Sequence, residues 1–112
     1  MKVREKRAGN ATVFSLGGML DTRTVPSLQQ RLARALAENP KIVLDLSDLK
    51  FISSAGVAAF ILAAKNARAR GGGLRLAGIH GEVQATFSVL RLDSNEPIWR
   101  LFPTVEEAVK DL

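Results

Sequence analysis

Apolar residues along the chain change spacing several times, and each change marks an element. Ala11 to Leu16 (ATVFSL) is a short β-prone run, and Gly17-Gly18 behind it predicts a turn or bulge; Val3 to Lys6 predicts an edge strand ahead of it. From Thr22 the spacing becomes helical, with Val25, Leu28, Leu32 and Leu36 three and four apart and Gln29, Gln30, Arg31 and Arg34 opposite. Pro26 sits in the opening turn, where its missing N–H costs nothing, and Asn39-Pro40 stops the helix. Ile42 to Leu46 (IVLDL) predicts a central strand buried on both faces. Ser47 to Ser54 predicts a loop holding Phe51-Ile52, before a second helix from about Ala55 to Arg70 that is apolar nearly all round at its start.

Gly71-Gly72-Gly73 predicts a helix C-cap and the turn into a strand over Leu74 to Ile79. Gly81 to Leu90 predicts a third helix with Val83, Phe87 and Leu90 on one face. Ile98 to Phe102 predicts a last strand, and Thr104 with Glu107 has capping-box spacing for a C-terminal helix. This alternation predicts an α/β fold: a mostly parallel sheet of four to five strands, with right-handed crossovers and about four helices. At 112 residues the expectation is one domain spanning 1–112.

Composition removes several chemistries. There is no cysteine, so disulfides and thiolate metal sites are excluded. The one histidine, His80, cannot build a His-rich metal site and reads as a solvent-facing loop residue. Asp45 and Asp48 could share a loop, yet neither stands in a phosphate or metal motif. The net charge of +5 is spread from Lys2 to Arg100 without interleaved aromatics, which disfavours a nucleic-acid partner. The longest apolar run, Val57 to Ala64, is far below the ~18 residues of a membrane span, and no signal-type segment opens the chain. A cytoplasmic protein without direct membrane insertion is expected. The triple glycine lies between helix and strand and no Lys-Ser/Thr follows it, so no ATP or GTP binding is expected, and no cofactor.

Ser54 stands out, because a strand and loop deliver it to a helix start. Its hydroxyl could serve as the plain N-cap. As a nucleophile elbow GxSxG the segment fails, since Ile52 replaces the first glycine and the chain is short for a hydrolase; a serine hydrolase is the weakest of three readings. A phosphate there would meet backbone N–H groups and the positive end of the helix dipole.

The stretch from Ile42 to Val57, IVLDLSDLKFISSAGV, resembles the signature of STAS domains, the family of anti-sigma factor antagonists and of sulphate transporter tails. Gly18-Met19-Leu20-Asp21 is similar to the family's G-x-L-D segment, and Gly72 to Gly78, Val83, Phe87 and Ile98 to Phe102 extend the likeness over nearly the whole chain. The resemblance implies a bacterial regulator of transcription, not an enzyme, with no catalytic residue and no metal. Its unphosphorylated form would bind an anti-sigma factor that is also a serine kinase and free a sigma factor; that kinase would phosphorylate Ser54 and a phosphatase would reverse the mark. Asp21, Thr22, Ser53, Ala55, Gly56 and Val57 would form the partner surface, with Gly56 allowing close approach. Ser53 stands where many members carry Asp. The alternative is a STAS subunit docked on a membrane transport complex, such as a lipid ABC transporter, with no phosphorylation cycle.

Overall fold

The computed structural model describes residues 1–93 and 98–112. Its strands are β1 (Lys2–Ala8), β2 (Ala11–Leu20), β3 (Lys41–Ile52), β4 (Gly73–Ala77) and β5 (Arg100–Phe102). Its helices are α1 (Val25–Glu38), α2 (Ser54–Ala69), α3 (Gly81–Val89) and α4 (Val105–Lys110). The strands form one sheet in the order β1-β2-β3-β4-β5; β1 runs antiparallel to β2 and the other pairs are parallel. The expected fold class is therefore observed, with β3 in the centre.

Two strands run further than their patterns announced. β2 continues through Gly17-Gly18 to Leu20, and β3 through the predicted loop to Ile52, so that Leu20 pairs with Ile52. The register shifts between Ser15 and Gly17 and again between Gly18 and Met19, with Gly18 at φ +92°. These shifts hid the strand. Leu46, Leu49 and Ile52 are all buried at a spacing of three, because a bulged strand does not keep the alternation of two.

α1, α2 and α3 pack on one sheet face, where Phe14, Leu28, Leu44, Phe60 and Phe87 belong to one core cluster. On the other face Ala108 of α4 meets Ala11, Val13, Val43 and Ala77. The periodic residues Val25, Leu28, Leu32 and Leu36 are all buried, and Asn39 ends α1 as its C-cap. Leu90, expected beside Val83 and Phe87, lies beyond the end of α3 and is exposed. Trp99 is buried there instead, its ring centroid 5.5 Å from that of Phe87 and its Nε1 donating to the Leu92 carbonyl at 3.1 Å.

The triple glycine is a structural joint. Gly71 takes φ +84°, and the N–H groups of Gly71 and Gly72 donate to the carbonyls of Arg68 and Ala67, closing α2. A Cβ on Gly72 would overlap the Pro40 carbonyl oxygen, which also accepts the Gly73 N–H at 3.0 Å. Thr104 caps α4, its Oγ1 accepting the Glu107 N–H at 3.3 Å.

Candidate functional site: the start of helix α2

β2 and β3 end side by side, and the Ser53 N–H donates to the Leu20 carbonyl at 2.9 Å. This bond brings the turn after β2 next to the start of α2. Ser53, at φ −85° and ψ 171°, is the N-cap: its Oγ accepts the Gly56 N–H at 3.2 Å. The cap is thus one residue earlier than Ser54, which is the first helical residue and exposed. The sequence holds a signal for this. With Ser53 as cap, Ile52 and Val57 take the two positions of a hydrophobic staple, and both lie in the core cluster; with Ser54 as cap the pair would be Ser53 and Ala58. An aspartate at position 53 would cap as well as serine does. Ser53→Ala is therefore expected to destabilise the fold by about 0.5–2 kcal/mol in denaturant unfolding, and Ser53→Asp to restore it. Equal stability of Ser53→Ala and the unmutated chain would show that the cap contributes nothing.

Asp21 is held in a reciprocal turn. Its Oδ1 accepts the N–H groups of Arg23 at 3.0 Å and Thr24 at 3.3 Å, while Thr24 Oγ1 accepts the Asp21 N–H at 2.9 Å. The Arg23 N–H holds the Asp21 carboxyl below the usual carboxylate range; partial desolvation opposes this, and the Thr24 N–H and the Arg23 guanidinium reinforce it. A depressed carboxyl stabilises the fold above its unfolded pKa, near ~3.9, and that stability is lost as pH falls through the lower folded value. Asp21→Asn keeps an acceptor oxygen but does not titrate, so its thermal stability is expected to fall less steeply with acid than that of the unmutated chain. Parallel acid profiles would remove this role.

Of the other residues assigned to a partner surface, Thr22 is exposed and Ala55 half-buried, both beside Ser54. Gly56 and Val57 are buried and have no open surface to offer a partner. The close approach that Gly56 permits is internal: a Cβ there would lie 2.7 Å from Ile52 Cγ1 and 3.0 Å from Leu20 Cδ2. Among the described residues, no side chain hydrogen-bonds the Ser54 hydroxyl, and no group of three His, Asp or Glu could hold a metal. The first turn of α2 contains no acidic residue, so the positive end of its dipole is not offset locally. His80 is exposed as expected, and its Nε2 donates to the Ser47 carbonyl at 2.6 Å. Asp45 and Asp48 lie on β3 rather than in a loop, and Asp45 accepts hydrogen bonds from Ser47 Oγ at 2.8 Å and Ser15 Oγ at 3.4 Å.

Strands in chain order, one antiparallel edge and an exposed serine opening the helix after the central strand define a class of small α/β modules that present a helix start at the C-terminal end of the central strand. The chain belongs to the STAS domain family, whose profile matches residues 2–108. It is similar to the anti-sigma-F factor antagonist RsfB of Mycobacterium tuberculosis, 31% identical over 98 residues that cover 87% of this chain and 77% of the relative. Its fold is shared with a candidate anti-sigma factor antagonist of Thermotoga maritima, at TM-score 0.87, 21% identity, and coverage of 97% of this chain and 92% of that one. The Bacillus cell fate determinant SpoIIAA in its phosphorylated form superposes at TM-score 0.75 and 20% identity, covering 98% of both chains. No helix among the described residues is long and apolar enough to cross a membrane.

Proposed function

We propose that this chain is an anti-sigma factor antagonist, a binding protein without catalysis of its own, switched by phosphate on Ser54. The observation that carries the reading is the Ser54 hydroxyl, exposed on the first residue of α2 with no side chain among the described residues hydrogen-bonded to it. A nucleophile needs a base within hydrogen-bond reach, whereas a residue that another enzyme phosphorylates needs access. A phosphoserine there adds about 1.5 to 2 negative charges against helix N–H groups, which suits the fold. In this reading the unphosphorylated chain binds a cytoplasmic anti-sigma factor, itself a serine kinase, over Ser54, Thr22, Ala55 and the outer edges of Asp21 and Ser53. Phosphate on Ser54 breaks that contact and a phosphatase restores it. The likeness to RsfB and the phosphorylated form of SpoIIAA support the reading.

The test combines the purified chain with the serine kinases of anti-sigma type encoded in its source genome, with ATP. Phosphate incorporated at Ser54, absent in Ser54→Ala, together with tight binding of the unphosphorylated chain only, is the expected result. No phosphate transfer and equal binding of Ser54→Ala and Ser54→Asp would reject the reading in favour of a subunit docked on a transport complex.

A further inference from the structure

Single exposed apolar residues are ordinary on a protein surface, whereas adjacent ones form a patch. Met19 is 52% exposed and Phe51 37% exposed, and the two are register partners on β2 and β3. Each is followed by a core residue, Leu20 and Ile52, so strand alternation turns Met19 and Phe51 to the other sheet face. Neighbouring strands lie about 4.8 Å apart, so these paired side chains on one face make one continuous apolar spot. Beyond α4 that face is open: a groove of about 680 Å³ runs over Gly17 and Gly18, with Lys2 and Arg4 on β1 and Lys50 on β3 along it.

The charges beside the spot do not cancel. Asp21 is paired with Arg23 at 3.8 Å, whereas Asp45, hydrogen-bonded only to the neutral Ser15 and Ser47, keeps its negative charge. Among the described residues Lys2, Arg4 and Lys50 enter no ion pair, and the groove sets these three cations against the two carboxylates Asp45 and Asp48. Phe51 is three residues from Ser54, about 10 Å at strand rise, and the Ser53 to Leu20 hydrogen bond ties the two strand ends together. A standard interface covers about 800 Å² per partner, a disc about 30 Å across, so one seated over Ser54 reaches the pair.

We propose that Met19 and Phe51 form the apolar anchor of the partner footprint, received by an apolar pocket rimmed with carboxylates on the anti-sigma factor. This rests on the reading of Ser54 given above and deepens it. Charge complementarity selects the occupant: a cationic rim around an apolar spot fits an acidic rim around an apolar pocket. It also gives the phosphate its leverage, because the added charge falls at the border of a surface that attracts carboxylates.

The probe is the kinase that phosphorylates Ser54. Met19→Thr with Phe51→Thr keeps β-branched side chains on the strands while removing the apolar spot. The double variant is expected to stay folded at the assay temperature, with a lowered unfolding temperature from the covered part of Phe51, and to bind the kinase at least about tenfold more weakly, as loss of an interface anchor does. Leu62→Gln, at an exposed site on α2 that is 61% accessible, is expected to leave affinity unchanged. On the unmutated chain, peroxide oxidation of Met19 read by mass spectrometry is expected to slow when the kinase is bound, and binding to weaken as salt is raised. Unchanged affinity of the double variant, with Ser54→Asp still weakened, overturns the anchor and leaves the serine switch standing. Absence of binding by the unmutated chain overturns both. Protection of Met19 by self-association of the free chain overturns the proposed occupant in favour of a second copy.

Discussion

Phosphate on Ser54 is expected to weaken partner binding about a hundredfold, and its partial mimic Ser54→Asp to weaken it less, while the melting temperature of neither falls. The two effects separate because Ser54 is not the cap. Ser53 accepts the Gly56 N–H, so Ser54→Ala removes a solvent-facing hydroxyl and leaves the helix start intact. Stability of Ser54→Ala is expected within about 0.5 kcal/mol of the unmutated chain, as for surface substitutions in general. Ser54→Asp places a carboxylate on the first turn of a helix that has none there and is expected to gain about 0.3–1 kcal/mol. Binding follows different physics. An interface packed over position 54 must desolvate the new charge, and like charges brought together across an interface cost several kcal/mol. About 3 kcal/mol corresponds to roughly a hundredfold in affinity. Calorimetry against the kinase and thermal unfolding of the same three proteins check both halves. Phosphorylated and unmodified chain binding alike would defeat the switch, and a loss of stability in Ser54→Ala as large as in Ser53→Ala would defeat the assignment of the cap.

Phe87→Ala is expected to destabilise the fold by about 3–5 kcal/mol, the range for large aromatic truncations in a core. α3 has only two buried residues, Val83 and Phe87. Phe87 is fully buried between Phe60 on α2, at a centroid distance of 6.5 Å in an edge-on arrangement, and Trp99 at 5.5 Å. Removing the ring strips two aromatic contacts and leaves one valine to hold the helix. Alanine cannot collapse the space, since Phe60 and Trp99 approach from different elements. Denaturant unfolding measures the loss, and hydrogen exchange of the α3 amides should show them opening before the strands. A loss under about 1 kcal/mol would mean that the three rings do not act together.

What the sequence displayed and what it concealed divide along physical lines. α1 was legible because Val25, Leu28, Leu32 and Leu36 keep strict helical spacing between a proline start and an Asn-Pro stop. Ile42 to Leu46 was legible because burial on both faces leaves an unbroken apolar run. The second half of β3 was not, since a bulge breaks the alternation by which a strand is recognised, and the polar residues Ser47, Asp48 and Lys50 face an open sheet surface. The cap was missed by one residue because Ser53 and Ser54 are chemically equal, and only the staple of Ile52 and Val57 tells them apart. Gly56 was assigned to partner contact, yet its smallness serves the seating of α2 against Leu20 and Ile52. Position 54 stood out by its place at a helix start, but its reading as a phosphorylation switch came through likeness to a family, because one serine near a helix start carries little information alone.

The order of the strands has a consequence for how the chain comes to be folded. Position in the sheet follows position in the sequence from β1 to β5. Chains emerge from the ribosome amino end first, at about 5 to 20 residues per second. Each strand after the first therefore meets a partner already synthesised, and none has to be inserted between two strands that have already paired. Helix α4 reaches far back along the chain, bringing Ala108 and Val109 over Ala11, Val43 and Gly9. Helix α4, synthesised after all five strands, thus closes the sheet face that β1 and β2 began.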